Sequence, residues 1–169
     1  MLWFFVRRHL RFSGSQRRRR IPQVFYEESH TRGYIVAVTS KMKEIIKTDS
    51  APAAIGPYSQ GVAVGGFLFT SGQIAIDPRT GAFPDAGVEE QTARVLENVS
   101  AILTAAGSSL KNVVKSTLFL IDMKDFAAVN AVYAKYFGES LPARSTVEVS
   151  CLPKGAKIEI EVIATLDGD

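Results

Sequence analysis

Histidine is nearly absent from this chain of 169 residues: only His9 and His30 are present, both near the N-terminus. Residues 42–169 contain none. That excludes from them the Ser-His-Asp and Cys-His arrangements, the paired imidazoles of a metal-independent ribonuclease, and His-ligated zinc or non-haem iron. Cysteine is as scarce, and the single Cys151 excludes both an intrachain disulfide and a multi-cysteine metal site. No apolar run reaches the roughly 18 residues of a membrane-spanning helix. Neither Gly-x-x-x-x-Gly-Lys-Ser/Thr nor Gly-x-Gly-x-x-Gly occurs, so a nucleotide cofactor has no glycine-rich cradle. Chemistry after residue 41 therefore rests on Arg, Lys, carboxylates, Tyr, hydroxyls and backbone donors.

The formal charge of +3 averages two unlike pieces. Residues 1–41 carry nine Lys+Arg against two Asp+Glu, whereas residues 42–169 carry eleven against fifteen. The basic pI belongs to the first piece, and the second is mildly acidic. An acidic body is a poor partner for nucleic acid, whose binding depends on clustered Lys and Arg. Residues 1–26 hold seven arginines and no acid after an apolar start. That is the composition of an organellar targeting peptide, and six apolar residues ahead of the arginines are too few for a secretory signal. Residues 1–41 are thus expected to be an unpacked leader that sends the protein to the mitochondrion or another organelle. With translation beginning at Met42 the protein is cytoplasmic instead. Either way residues 42–169 suffice for one folded domain.

Within that domain Ala51-Pro52 and Gly56-Pro57 enforce an extended approach. Gly61 to Ile76 reads as two strands around a Gly65-Gly66 hairpin turn. Val88, Thr92, Val95, Leu96, Val99, Ile102, Leu103 and Ala106 share one helical face, with Gly107 as the stop. Val113 to Ile121 is rich in β-formers and runs into Asp122, a good N-cap for a second helix ending at Gly138. Ser145 to Val149 predicts a short strand and Lys157 to Leu166 a long alternating one. The order β-β-α-β-α-β-β predicts an α+β fold, a single sheet with two helices on one face. The opposite sheet face lacks a covering layer, which predicts an oligomer built by packing sheets together.

Several side chains are chemical candidates, each with a plainer alternative. Arg144 follows Leu141-Pro142-Ala143 at a strand entry, where a guanidinium suits bidentate capture of a carboxylate or a surface salt bridge. Glu159 and Glu161 face one side of the last strand. Flanked by apolar residues, such a carboxylate either gains a raised pKa useful for proton transfer or pairs with Lys154 or Lys157. Tyr58 follows a stiff turn and either closes over a ligand or packs. Ser71-Gly72 interrupts an apolar strand and permits close backbone approach. Asn130 positions a ligand or satisfies a neighbouring backbone group, and Cys151 reads as a buried spectator.

In order, APAAIGPYSQGV, FTSGQIAIDPRTG, VVKSTLFLIDMKDFAAVNAVYAKYF and LPARSTVEVSCLPKGAKIEIEVIA resemble the reactive intermediate deaminase family. This is the RidA/YjgF group, formerly labelled L-PSP translation inhibitors. The resemblance spans about residues 50–166 and says nothing about the leader. It implies a chorismate-mutase-like fold, a homotrimer and three sites in clefts between subunits. It implies hydrolysis of 2-imino acids such as 2-iminobutanoate and 2-iminopropanoate to 2-oxo acids and ammonia, without metal or cofactor. Such an activity would protect pyridoxal-phosphate enzymes from reactive intermediates. By the same resemblance Arg144 would bind the substrate carboxylate and Glu159 would orient and deprotonate water. Tyr58, Ser71, Gly72 and Asn130 would line the cleft, and Thr146 stands where some bacterial relatives carry cysteine. The rival readings are an endoribonuclease, which calls for a basic groove, and a non-catalytic ligand-binding trimer.

Overall fold

Strict alternation in the last strand organises the domain. In the computed structural model, which describes residues 42–166, Ile158, Ile160, Val162 and Ala164 are buried while Glu159, Glu161, Ile163 and Thr165 are half-buried on the other side. The strands are β1 (Glu44–Ile46), β2 (Gly61–Val64), β3 (Phe67–Thr70), β4 (Val113–Leu120), β5 (Ala143–Glu148) and β6 (Ile158–Thr165). Helix α1 (Val88–Ala105) precedes β4, and α2 (Phe126–Phe137) precedes β5. One sheet results, in the order β1-β2-β3-β6-β4-β5. The expected β-β-α-β-α-β-β order is present, preceded by the additional short strand β1. The leader lies outside the described residues.

Strands β4 and β5 are parallel neighbours joined through α2, as a crossover requires. The connection through α1 differs, because β6 is inserted between β3 and β4 and pairs antiparallel with both. Both helices contribute to one core with Leu68, Leu118, Leu120 and the even-numbered residues of β6. Helix α1 buries the face predicted from its spacing, including Val95, Leu96, Val99, Ile102 and Leu103. Gly107, at φ +74°, stops it where the Ser108 amide bonds the Leu103 carbonyl at 2.9 Å. The second helix departs from expectation at both ends. Asp122 caps a short 3-10 turn, accepting from the Lys124 amide, and α2 itself begins at Phe126. Gly138 keeps a right-handed backbone, and the left-handed residue after the helix is Leu141, at φ 39°.

Among the described residues, no further layer covers the face of the sheet away from the helices. Phe67 and Phe69 are each 42% exposed there, and Val147 is exposed to the same degree. Phe69, Lys115, Thr117, Glu161 and Ile163 border a shallow groove of about 250 Å³ on this side. Solvated aromatic side chains over a sheet are the signature of a surface meant to be covered.

Candidate active site

A one-residue irregularity builds the first half of the site. Phe69 pairs with Ile163, yet four residues on Gln73 pairs with Ile160, only three positions back. The extra residue makes a β-bulge at Ser71-Gly72, a device that re-aims side chains beside functional sites. Thr70 repairs the ladder: its hydroxyl accepts from the Val162 amide at 2.9 Å and donates to the Val162 carbonyl at 3.4 Å. Gly72 then lies directly beneath Glu159. A Cβ built on Gly72 would stand 2.7 Å from the Glu159 Cδ and overlap the carboxylate Oε1, so only glycine admits the side chain there.

The bulge is tied to the extended approach. Ser71 Oγ donates to the Ser59 carbonyl at 2.6 Å, and the Ser71 amide bonds the Gln60 carbonyl at 3.0 Å. Gln60, only 3% exposed, is a clamp that sequence reasoning did not single out. Its Oε1 accepts from the Thr48 amide, and the two protons of its Nε2 are shared among the carbonyls of Thr48, Ala51 and Pro52 at 2.8–3.1 Å. A buried amide saturated by four backbone partners fixes the loop across the strand ends. The result is a cleft of about 440 Å³ whose walls include Tyr58, Ser71, Gly72, Glu159, Ile55, Ile74, Pro153 and Lys154. Tyr58 is 51% exposed on its rim. Lys154 holds a left-handed backbone, φ 58°, in the turn that leads to β6.

Burial pushes the Glu159 carboxyl above its usual range, and the charge of Glu161 adds to the effect. Its expected alternative as one partner of a strand-face ion pair is not realised: neither Lys154 nor Lys157 forms a salt bridge with it among the described residues. A partly desolvated carboxylate that makes no salt bridge is suited to taking a proton.

The second half of the site lies elsewhere. Arg144 pairs in register with Ser116 and Thr146 with Leu118, which puts both on the helix-covered face. Arg144 Nη1 donates to Asn130 Oδ1 at 2.9 Å, and the guanidinium lies over the rings of Tyr133 at 4.8 Å and Phe126 at 5.6 Å. The salt bridge weighed for Arg144 is absent among the described residues. Thr146 Oγ1 is buried and has no hydrogen-bond partner among the described residues. Cys151 is exposed, which corrects its reading as a buried residue: it sits in the turn after β5, outside the core.

The seven candidate residues therefore separate into two groups within one chain. Tyr58, Ser71, Gly72 and Glu159 share the cleft, while Arg144, Asn130 and Thr146 do not line it. Glu159 is level with Phe119, and Phe119 with Val147, so Glu159 points to the bare face, two strands and three residues from Arg144. Strand spacing and rise put their Cα atoms about 14 Å apart on opposite faces. Sequence spacing had no means of showing this split, because it fixes which face of a strand a residue takes but not which strands become neighbours.

The geometry defines a class: a small α+β subunit with a cation and a partly desolvated carboxylate on opposite faces of one sheet. Comparison with known proteins gives the class its family. Residues 48–166 match the family described as Endoribonuclease L-PSP, the YjgF/RidA group, and the chain belongs to it. It is 50% identical over 131 residues to Reactive Intermediate Deaminase A, chloroplastic, of Arabidopsis thaliana, covering 78% of this chain and 70% of that protein. It is 47% identical over 127 residues to the 2-iminobutanoate/2-iminopropanoate deaminase of Mus musculus, covering 75% and 94% of the two chains. The crystal structure of E. coli TdcF with bound serine superposes with a TM-score of 0.69 at 50% identity, covering 72% of this chain and 98% of that one.

Proposed function

We propose that this protein is a hydrolytic deaminase of reactive 2-imino acids, 2-iminobutanoate and 2-iminopropanoate among them, and that it works as a homotrimer with its sites between subunits. The observation that carries the reading is the separation just described. One chain holds a largely apolar cleft with a partly desolvated carboxylate, and Arg144 is absent from its walls; the cation there is Lys154, which makes no salt bridge with Glu159 among the described residues. The same chain holds the Arg144 guanidinium on the edge strand β5, oriented, outside that cleft and without a salt bridge among the described residues. A second copy supplies what the first lacks, and the bare sheet face is the surface through which copies associate. The relatives named as imine deaminases support the reaction, and the serine bound to TdcF supports a small amino-acid-like ligand.

In the completed site Arg144 of one copy holds the substrate carboxylate and turns the C=N carbon toward the Glu159 of its neighbour. Glu159 takes a proton from water as the oxygen attacks the protonated imine. The tetrahedral carbinolamine then receives that proton on nitrogen, its hydroxyl gives up its own proton to the Glu159 carboxylate as the C–N bond breaks, and ammonia and the 2-oxo acid leave. Tyr58, Ser71 and Gly72 shape one wall, and Asn130 and Thr146 approach from the Arg144 side. Imines hydrolyse slowly without help, so positioning and one acid–base group are adequate. The apolar part of the cleft, with Ile55 and Ile74, takes the short side chain. Removing such products of dehydratases would spare pyridoxal-phosphate enzymes from them.

Ammonia release in a coupled threonine dehydratase assay tests the function. Arg144→Ala and Glu159→Ala are expected to lose most of the acceleration while keeping the wild-type fold. Wild-type turnover by either would remove that residue from the mechanism, and cleavage of RNA by the same purified protein without imine hydrolysis would favour the endoribonuclease reading. For location, we infer organellar import from the arginine-rich residues 1–26, in line with the chloroplastic relative. Sequencing the mature N-terminus in cells decides it, since a protein that retains Met1 has not been processed. No helix among the described residues is long and apolar enough to cross a membrane.

A further inference from the structure

Among the described residues the guanidinium of Arg144 is held without a counter-charge, and the side chains that hold it are spaced by the helix. Phe126, Asn130 and Tyr133 stand at steps of four and three along α2, one stripe of that helix facing β5. Arg144 lies across the stripe, hydrogen-bonded to Asn130 and over both rings. Tyr133 is the fixed member, only 6% exposed. Its hydroxyl meets Ser116 Oγ, on the paired position of β4, at 2.8 Å. Its ring stacks on Phe137 with centroids 4.4 Å apart.

We propose that Tyr133, anchored by Ser116, is a positioning residue that orients Arg144 through its aromatic face, so that the arginine keeps its charge for a bound carboxylate. An aspartate or glutamate in the same place would orient the arginine equally well but would compete with an anionic ligand for its N–H donors. A ring attracts the cation without occupying those donors. Of the five N–H groups of a guanidinium, Asn130 takes one, which leaves a forked pair for a carboxylate. The choice of ligand rests on the deaminase reading above; the cradle itself rests on geometry alone.

The test uses the full chain and a readout that does not depend on turnover. The Arg144 Hε proton resonance, assigned by its loss in Arg144→Lys, is expected to be displaced by the ring current in the wild type. Tyr133→Phe keeps the ring and should keep the displacement. Tyr133→Leu should abolish most of it, raise the Kd for 2-oxobutanoate and the KM for 2-iminobutanoate about three- to tenfold, and change kcat by less than about twofold. Phe126→Leu, at an exposed ring farther from the cation, should do the same more weakly and does not depend on refilling the core. An undisplaced wild-type resonance, or unaltered ligand affinity in both leucine variants, would overturn the proposal. A chain that shows the displaced resonance and binds 2-oxobutanoate but releases no ammonia from imines would sink the deaminase reading and leave the cradle standing. An active chain with an undisplaced resonance would do the reverse.

Discussion

The two faces of the sheet obey different rules. On the helix side, Ser116, Leu118 and Leu120 of β4 and every second residue of β6 are buried and apolar or internally bonded, and at the margin, on β5, Arg144 is stacked on rings while Glu148 accepts from the Met123 amide. On the other side the same strands present Phe119, Glu159, Glu161 and Ile163, and β3 presents Phe67 and Phe69, all of them accessible to some degree. The first face stabilises the subunit. The second leaves a carboxylate partly desolvated and apolar area uncovered, which costs the isolated chain stability and suits it to association and chemistry. What this teaches is that strand alternation, combined with the strand order and register, separates the two candidate groups: Glu159 and Arg144 cannot share a side.

Substitutions on the two faces should therefore fail differently. Leu118→Ala, on the helix face, should destabilise the subunit by about 2–5 kcal/mol, the range for a buried leucine, as read by denaturant unfolding. Phe69→Asp, on the bare face, should leave the circular dichroism of the subunit intact while sedimentation shows monomers and activity is lost. Unfolding in the second case would mean that Phe69 serves the core. Next in size, Gly72→Ala should reduce kcat about tenfold by displacing the Glu159 carboxylate from its place over the bulge. Unchanged kinetics would show that the carboxylate has another working position.

The smallest effect is on stability and has the opposite sign. The folded state holds the Glu159 carboxyl above its usual range, so it favours the protonated form more than the unfolded chain does. Its contribution to stability is present below the ordinary carboxylate range and is lost as pH rises through the raised folded value. Glu159→Gln, neutral throughout, should accordingly raise the melting temperature at neutral pH by about 1–3 °C, and the gain should fade in acid. The acid limb of wild-type kcat/KM should fall at a pH above that of an ordinary glutamate, because the proposed role of Glu159 as proton acceptor requires its ionised form.

Much of this was legible beforehand for physical reasons. The period of α1, its glycine stop and the alternation of β6 are local signals, and each appears where the residues put it. The bare face followed from counting layers. Strand β1 was missed because Glu44–Ile46 is three residues long and owes its conformation to pairing with β2 rather than to its own pattern. The bulge at Ser71-Gly72 carried a signal, a glycine inside an apolar strand, but its consequence depends on β6 arriving from about 90 residues later in the chain. Gln60 carried none: a glutamine clamp looks like any polar residue until its four partners fold around it. The separation of Arg144 from Glu159 needed the strand order, which no local pattern encodes.

Subunit complementation tests the shared site most directly. Arg144→Ala and Glu159→Ala chains, co-expressed in equal amounts, should form mixed assemblies in which some clefts pair an intact Arg144 with an intact Glu159. With each site drawing one residue from each of two copies, random mixing should restore about one quarter of wild-type activity, although neither variant alone is active. A mixture no more active than the separate variants would mean that both residues act from one chain, and the account of a divided site would be wrong.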